Sequence, residues 1–194
     1  MALNDTDVTD AALAILDEYG LADLTMRRLA DSLGVRVGAL YWHVTNKQTL
    51  LAGLVTVILD GLEEPAGPWR AGLAGWADAL RSRLLAHRDS ADLVATMRAI
   101  GMAATDLADG PAACLTAAGL EPERAGLGAR TLVHFVIGHV NEEQQRVQLG
   151  PLAGEDASPA PSGAEDFRAG VGLLLDLVKH AHHIHHGGCG RPIV

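Results

Sequence analysis

Cysteine is scarce. Cys114 and Cys189 are the two in 194 residues and stand far apart, which excludes a disulfide scaffold and points to a reducing interior. Long apolar runs are missing too: the longest stretch free of Asp, Glu, Lys and Arg covers residues 48–59, 12 positions. A bilayer-crossing helix needs roughly 20. The first 23 positions hold no base and six acids, Asp5, Asp7, Asp10, Asp17, Glu18 and Asp23. No basic segment precedes an apolar one there, which excludes a signal peptide. A soluble, cytoplasmic protein with no membrane partner is the expectation. Also absent are an alternating strand pattern, an internal repeat, a phosphate loop, an HExxH pattern and a nucleophile motif.

What is present is apolar: 48% of the residues are hydrophobic, too many for a disordered chain and enough for a real core. The net charge of −9 argues at first against nucleic acid, but it hides a gradient. Residues 24–47 carry Arg27, Arg28, Arg36 and Lys47 against the single acid Asp31. A duplex would meet that local surplus, not the chain average.

Apolar spacing predicts helix nearly everywhere. Val8, Ala11, Ala12, Ile15, Leu16 and Tyr19 form one stripe, stopped by Gly20. Thr25 caps a second helix with Met26, Leu29, Ala30 and Leu33 inward, and Gly34 ends it. A third runs over 37–44 with Val37, Leu40, Tyr41 and Val44 inward, and Asn46 caps a fourth that carries Leu50, Leu51, Leu54, Val55, Ile58, Leu59 and Leu62. A fifth follows from Trp69, shorter pieces cover 89–102 and 106–118, a long helix runs over 122–148 behind Pro122, and a last one over 167–183. Residues 150–166, rich in Pro, Gly and acid, read as a loop. The fold class is all-α: a three-helix helix-turn-helix domain (1–47), a connecting helix (48–64), a helical ligand-binding and dimerisation domain (65–186) and a tail (187–194).

Two short helices joined by a tight Gly turn have the dimensions of a DNA-reading helix-turn-helix. Arg36, Gly38, Ala39, Trp42 and His43 then face outward, with Tyr41 at the edge. Small residues at the start of the third helix allow close approach to base edges, and Ala39 could touch a thymine methyl. Arg27, Tyr41 and Lys47 suit phosphate contacts. The plainer alternative is a core module in which Tyr41, Trp42 and His43 are merely packed.

The run LTMRRLADSLGVRVGALYWHVTNKQTLL (residues 24–51) resembles the DNA-binding domain of the TetR family of repressors. HFVIGHVNEEQQ (134–145) and FRAGVGLLLDLVKH (167–180) resemble that family's C-terminal helices. The resemblance implies DNA contacts by Thr25, Arg27, Val37, Gly38, Ala39, Tyr41, Trp42, His43 and Lys47. Gly38 and Ala39 depart from the family's commoner Pro-Thr, and Arg36 adds a donor suited to a guanine. The expected partners are therefore a double-stranded, palindromic operator and a second copy of the chain, joined through a four-helix bundle that encloses an effector cavity. The plainer reading of helices 122–148 and 167–183 is an intramolecular core.

The effector contacts the resemblance implies are Trp76, Leu80, Val94 and Met97, with His134, Gly138 and Glu142 spaced by four on one helix face. In the tetracycline-binding branch the matching His and Glu serve a drug and its magnesium, and Val94 stands where that branch has its metal-ligating His. One imidazole and one carboxylate are a poor magnesium site. A small hydrophobic effector and no required cofactor are therefore expected, with a polar pair at the dimer seam as the alternative for His134 and Glu142. Two other readings compete. His182, His183, His185 and His186 could hold zinc, nickel or copper in a metal-responsive regulator, although a solvated helix end accounts for them as well, and no metal site is expected. His134, His139, Glu142 and Glu143 could serve a small helical enzyme, but with no companion motif an enzyme is not expected.

Overall fold

The computed structural model describes residues 3–149 and 163–186, with side chains as far as residue 178. The described residues are helical and turn structure without strand, as the apolar spacing predicts. The helices are α1 (Asp5–Tyr19), α2 (Met26–Ser32), α3 (Val37–Leu40), α4 (Lys47–Ile58), α5 (Trp69–Leu85), α6 (Ser90–Ala99), α7 (Asp109–Ala117), α8 (Pro122–Leu149) and α9 (Ala164–His186).

Capping chemistry sets the early helix starts. The Asn4 side chain accepts from the Asp7 N–H at 2.9 Å while the Asp7 carboxylate accepts from the Asn4 N–H at 3.1 Å, a reciprocal capping box. Thr25 accepts from the Arg28 N–H at 3.1 Å, and Asn46 from the Thr49 N–H at 2.8 Å. Two boundaries differ from the spacing. The helix expected over 37–44 tightens after Leu40 into i→i+3 bonds, Trp42 N–H to Ala39 O at 3.3 Å and His43 N–H to Leu40 O at 2.9 Å. Tyr41 is thereby turned to solvent instead of inward. The last helix starts earlier, at Ala164.

The described residues divide into two compact units, neither collinear with the sequence. The first holds residues 3–62, 80–106 and 137–149. In it α1 packs on α2 and α4, α2 on α3, and α4 on α6. Val8, Leu16, Leu24, Leu29, Leu40 and Leu54 are fully buried there, each contributing roughly 1.5–3 kcal/mol. The second holds residues 63–79, 107–136 and 163–186. In it the rings of Phe135 and Phe167 stack at 5.7 Å, and Arg70–Asp176 (2.8 Å) and Arg168–Asp78 (3.2 Å) tie α5 to α9.

Candidate nucleic-acid interface and effector region

In the first unit, α2 and α3 meet through a turn that only a residue without Cβ adopts freely: Gly34 has φ 65°. Behind it the Val35 N–H returns to Ala30 O at 3.0 Å, and Ala30 is buried where the helices cross. Leu29, Leu40, Leu50 and Leu54 supply the buried floor. The opposite face is open. Thr25, Arg27, Arg36, Gly38, Tyr41 and Trp42 are exposed, and Val37, Ala39, His43 and Lys47 half-buried. Trp42 is 89% exposed, a large apolar ring that nothing among the described residues covers. Tyr41 and Trp42 are thus not core residues.

The basic side chains on this face fall into two kinds. Arg28 is held, 2.7 Å from Asp23 and 4.4 Å above the Tyr19 ring. The hydrogen bond with Glu18 and then that residue's charge push the Tyr19 phenol above its ordinary range. Arg27, Arg36 and Lys47 form no ion pair among the described residues and keep their donors for an outside acceptor. One contact gives no local signal in the sequence: His43 Nδ1 lies 2.7 Å from the Asp5 carboxylate, 38 positions away.

A polar corner at residues 87–89 joins the reading module to α6 and α8 within the same unit. His87 Nδ1 lies 3.1 Å from both Asp17 carboxylate oxygens, and the Asp89 carboxylate accepts from the Leu21 N–H at 2.8 Å. The Gln148 amide donates to the other Asp89 oxygen. Gln144, buried, donates to Leu84 O at 2.9 Å and His87 O at 2.7 Å and accepts from the Ala91 N–H at 3.3 Å. Glu143, also buried, is gripped by Arg81 Nη2 at 2.8 and 2.9 Å and lies 3.0 Å from His139 Nε2.

Of the residues named as effector contacts, Leu80, Val94 and Met97 are buried in the first unit and Trp76 in the second. His134, Gly138 and Glu142 share one face of α8, as their spacing predicts, and that face is exposed. The inner face of α8 is taken by Ala129, Val133, Val136 and Val140. The second unit has an open groove of about 770 Å³ between the segment before α5 and α7, lined by Glu64, Trp69, Asp109, Ala113, Cys114 and Ala117 and by none of the named effector residues. Burial pushes the Cys114 thiol up. No cluster with metal-ligand potential occurs among the described residues, but the side chains of His182, His183, His185 and His186 lie outside them. No helix among the described residues is long and apolar enough to cross a membrane.

Comparison with known proteins places both regions. Residues 8–54 match the bacterial regulatory proteins of the tetR family, and residues 56–166 the tetracyclin repressor-like C-terminal domain. The tetracycline repressor protein class E of Escherichia coli is 38% identical over 183 residues, 90% of this chain and 84% of that protein. The crystal structure of Mycobacterium smegmatis BioQ superposes with a TM-score of 0.83 at 37% identity, covering 93% of this chain and 99% of that one. A BioQ structure with its double-stranded DNA operator superposes at 0.78 and 36% identity, covering 92% and 99%. With a matching reading module, a matching C-terminal domain and a relative of nearly full length, the chain belongs to the TetR family of transcriptional repressors.

Proposed function

We propose that the protein is a homodimeric repressor that binds a palindromic operator through α2, α3 and the start of α4 and is released by a small hydrophobic effector. The observation that carries this reading is the unpartnered face of Arg27, Arg36, Trp42 and Lys47 over a fully packed floor. Phosphate contacts from Thr25, Arg27, Tyr41, His43 and Lys47 set register, while Arg36 and the small Gly38 and Ala39 meet base edges, with Val37 beside them. That the similar BioQ has been crystallised with its double-stranded DNA operator supports operator binding as the role.

The second copy is supported by the exposed apolar residues of the second unit, Leu127, Leu173 and Leu177 on α8 and α9, which water covers poorly. In a two-fold dimer the α3 helices sit about 34–36 Å apart, one turn of duplex. His134 and Glu142, exposed in one copy, would be covered at that seam. Leu80, Val94 and Met97 of the first unit supply an apolar lining for an effector, and no cofactor is needed. The effector acts only by favouring a conformation whose half-site spacing no longer fits. Of the α8 acid–base groups, Glu143 is already engaged by Arg81. Repression and its relief are tested by a mobility-shift titration on the intergenic DNA beside the gene, at stated salt, with and without a panel of apolar and tetracycline-like compounds. A specific shift abolished by one compound is the expected result, and a protein that binds that fragment no better than random duplex would overturn the reading.

A further inference from the structure

His43 has two ring nitrogens, and one is already committed. Nδ1 lies 2.7 Å from Asp5 Oδ1, with the His43 side chain 21% exposed and Asp5 84%. An ionised carboxylate only accepts, so Nδ1 carries a proton, and Nε2 is the nitrogen left for an outside partner. A phosphate oxygen also only accepts. A ring that donates to a carboxylate on one side and a phosphate on the other must carry both protons, as imidazolium. Without DNA the neutral Nδ1–H tautomer already satisfies Asp5.

Among the described ionisable groups on the elements around this ring, Asp5 on α1 is the one in contact with it. Arg36 precedes α3 and Lys47 opens α4, and neither forms an ion pair among the described residues. Asp5 opens α1, where a carboxylate suits the helix start, but it also stands exposed beside a surface read as meeting phosphates. A doubly protonated His43 neutralises it.

We propose that Asp5 is a positioning residue for operator binding, acting through His43, and that the pair makes binding of the operator take up a proton. The proposal rests on the reading of His43 as a phosphate contact. The sign follows from the charge. The bound state holds one proton more than the free state, so affinity is greatest on the acid side and falls as pH rises.

The test uses the full chain and a palindromic duplex that the protein itself selects from a random-sequence pool, titrated by fluorescence anisotropy at fixed ionic strength between about pH 6 and 8.5. For the wild type, Kd rises by up to about tenfold per pH unit over the alkaline part of that range. In Asp5→Asn the amide can donate into Nδ1, so a neutral ring with its proton on Nε2 still reaches the phosphate, and the added slope disappears. His43→Gln, a donor that does not titrate, also flattens the profile. Thermal melting checks that both variants fold, and the His87–Asp17 pair contributes the same background to all three proteins. Parallel slopes for wild type and Asp5→Asn would reduce Asp5 to a helix-start residue and overturn the proposal, as would a flat wild-type profile. Failure to select any duplex would overturn the DNA reading along with it.

Discussion

The reading face and the 87–89 corner belong to the same compact unit and use polar side chains in opposite ways. At the corner the polar side chains are matched with one another and with backbone: Asp89 with Leu21 and Gln148, Asp17 with His87, and Gln144 with carbonyls of Leu84 and His87. On the face, Arg27, Arg36 and Lys47 are left without ion pairs among the described residues, and Trp42 without cover from them. Matched polar groups inside a low-dielectric unit fix geometry, because any alternative leaves a donor or acceptor buried and unpaired. Unmatched groups in water cost little and remain available. The corner therefore governs where the module points, and the face governs what it holds.

The sharpest way to break this contrast is to unpair a buried group. Glu143→Leu removes the buried carboxylate that Arg81, whose side chain is only 14% exposed, grips at 2.8 Å, and should cost about 3–5 kcal/mol in denaturant unfolding. Replacing both partners, Arg81→Met with Glu143→Leu, should recover much of that loss. A double variant no more stable than the single one would mean the pair is not what holds α5 to α8 there. The face should behave in the reverse manner. Arg36→Ala should leave stability within about 0.5 kcal/mol and weaken operator binding by about 1–3 kcal/mol, with specificity relaxed at one base pair. Uniform weakening across sequences would reassign Arg36 to a phosphate.

Much of the contrast was legible in the sequence, but unevenly. Helices follow from apolar spacing because burial is periodic along a chain, and the α2–α3 turn follows from Gly34. The outward positions of Arg36 and Trp42 follow from the same arithmetic. Spacing also puts His134, Gly138 and Glu142 on one face, yet it cannot say which way that face looks. The competing row of Ala129, Val133, Val136 and Val140 decides it. The Asp5–His43 contact and the reach of Gln144 to Leu84, 60 positions away, have no local signal, since each depends on how separate helices pack. The two units escape a linear reading for the same reason: α5 and α8 each supply residues to both.

Where the corner touches the end of α1, one position has no latitude. Gly20 has φ 87° and ψ 174°, and a Cβ there would stand 2.6 Å from the Asp89 carboxylate oxygen that accepts from Leu21. Gly20→Ala should cost about 1–3 kcal/mol through backbone strain and the displaced carboxylate. Operator affinity of the folded fraction should change less than stability does. The opposite order, measured by thermal melting beside anisotropy titration, would make the corner part of the reading surface.

The smallest effect separates the two roles at a single residue. Asn46 caps α4 by accepting from the Thr49 N–H at 2.8 Å and its hydroxyl at 3.1 Å, and it directly precedes Lys47. Asn46→Ala should lower stability by about 1 kcal/mol, the usual worth of such a cap. Asn46→Asp keeps an acceptor of equal quality and adds a favourable charge at a helix start, so stability should return to wild type or slightly above. The same charge beside Lys47, proposed above as a phosphate contact, should weaken operator binding, most at low salt where screening is least. A residue of the matched kind would show stability and binding moving together through both substitutions. A residue at the border between corner chemistry and face chemistry shows them parting, with Asn46→Asp stable and weakly bound.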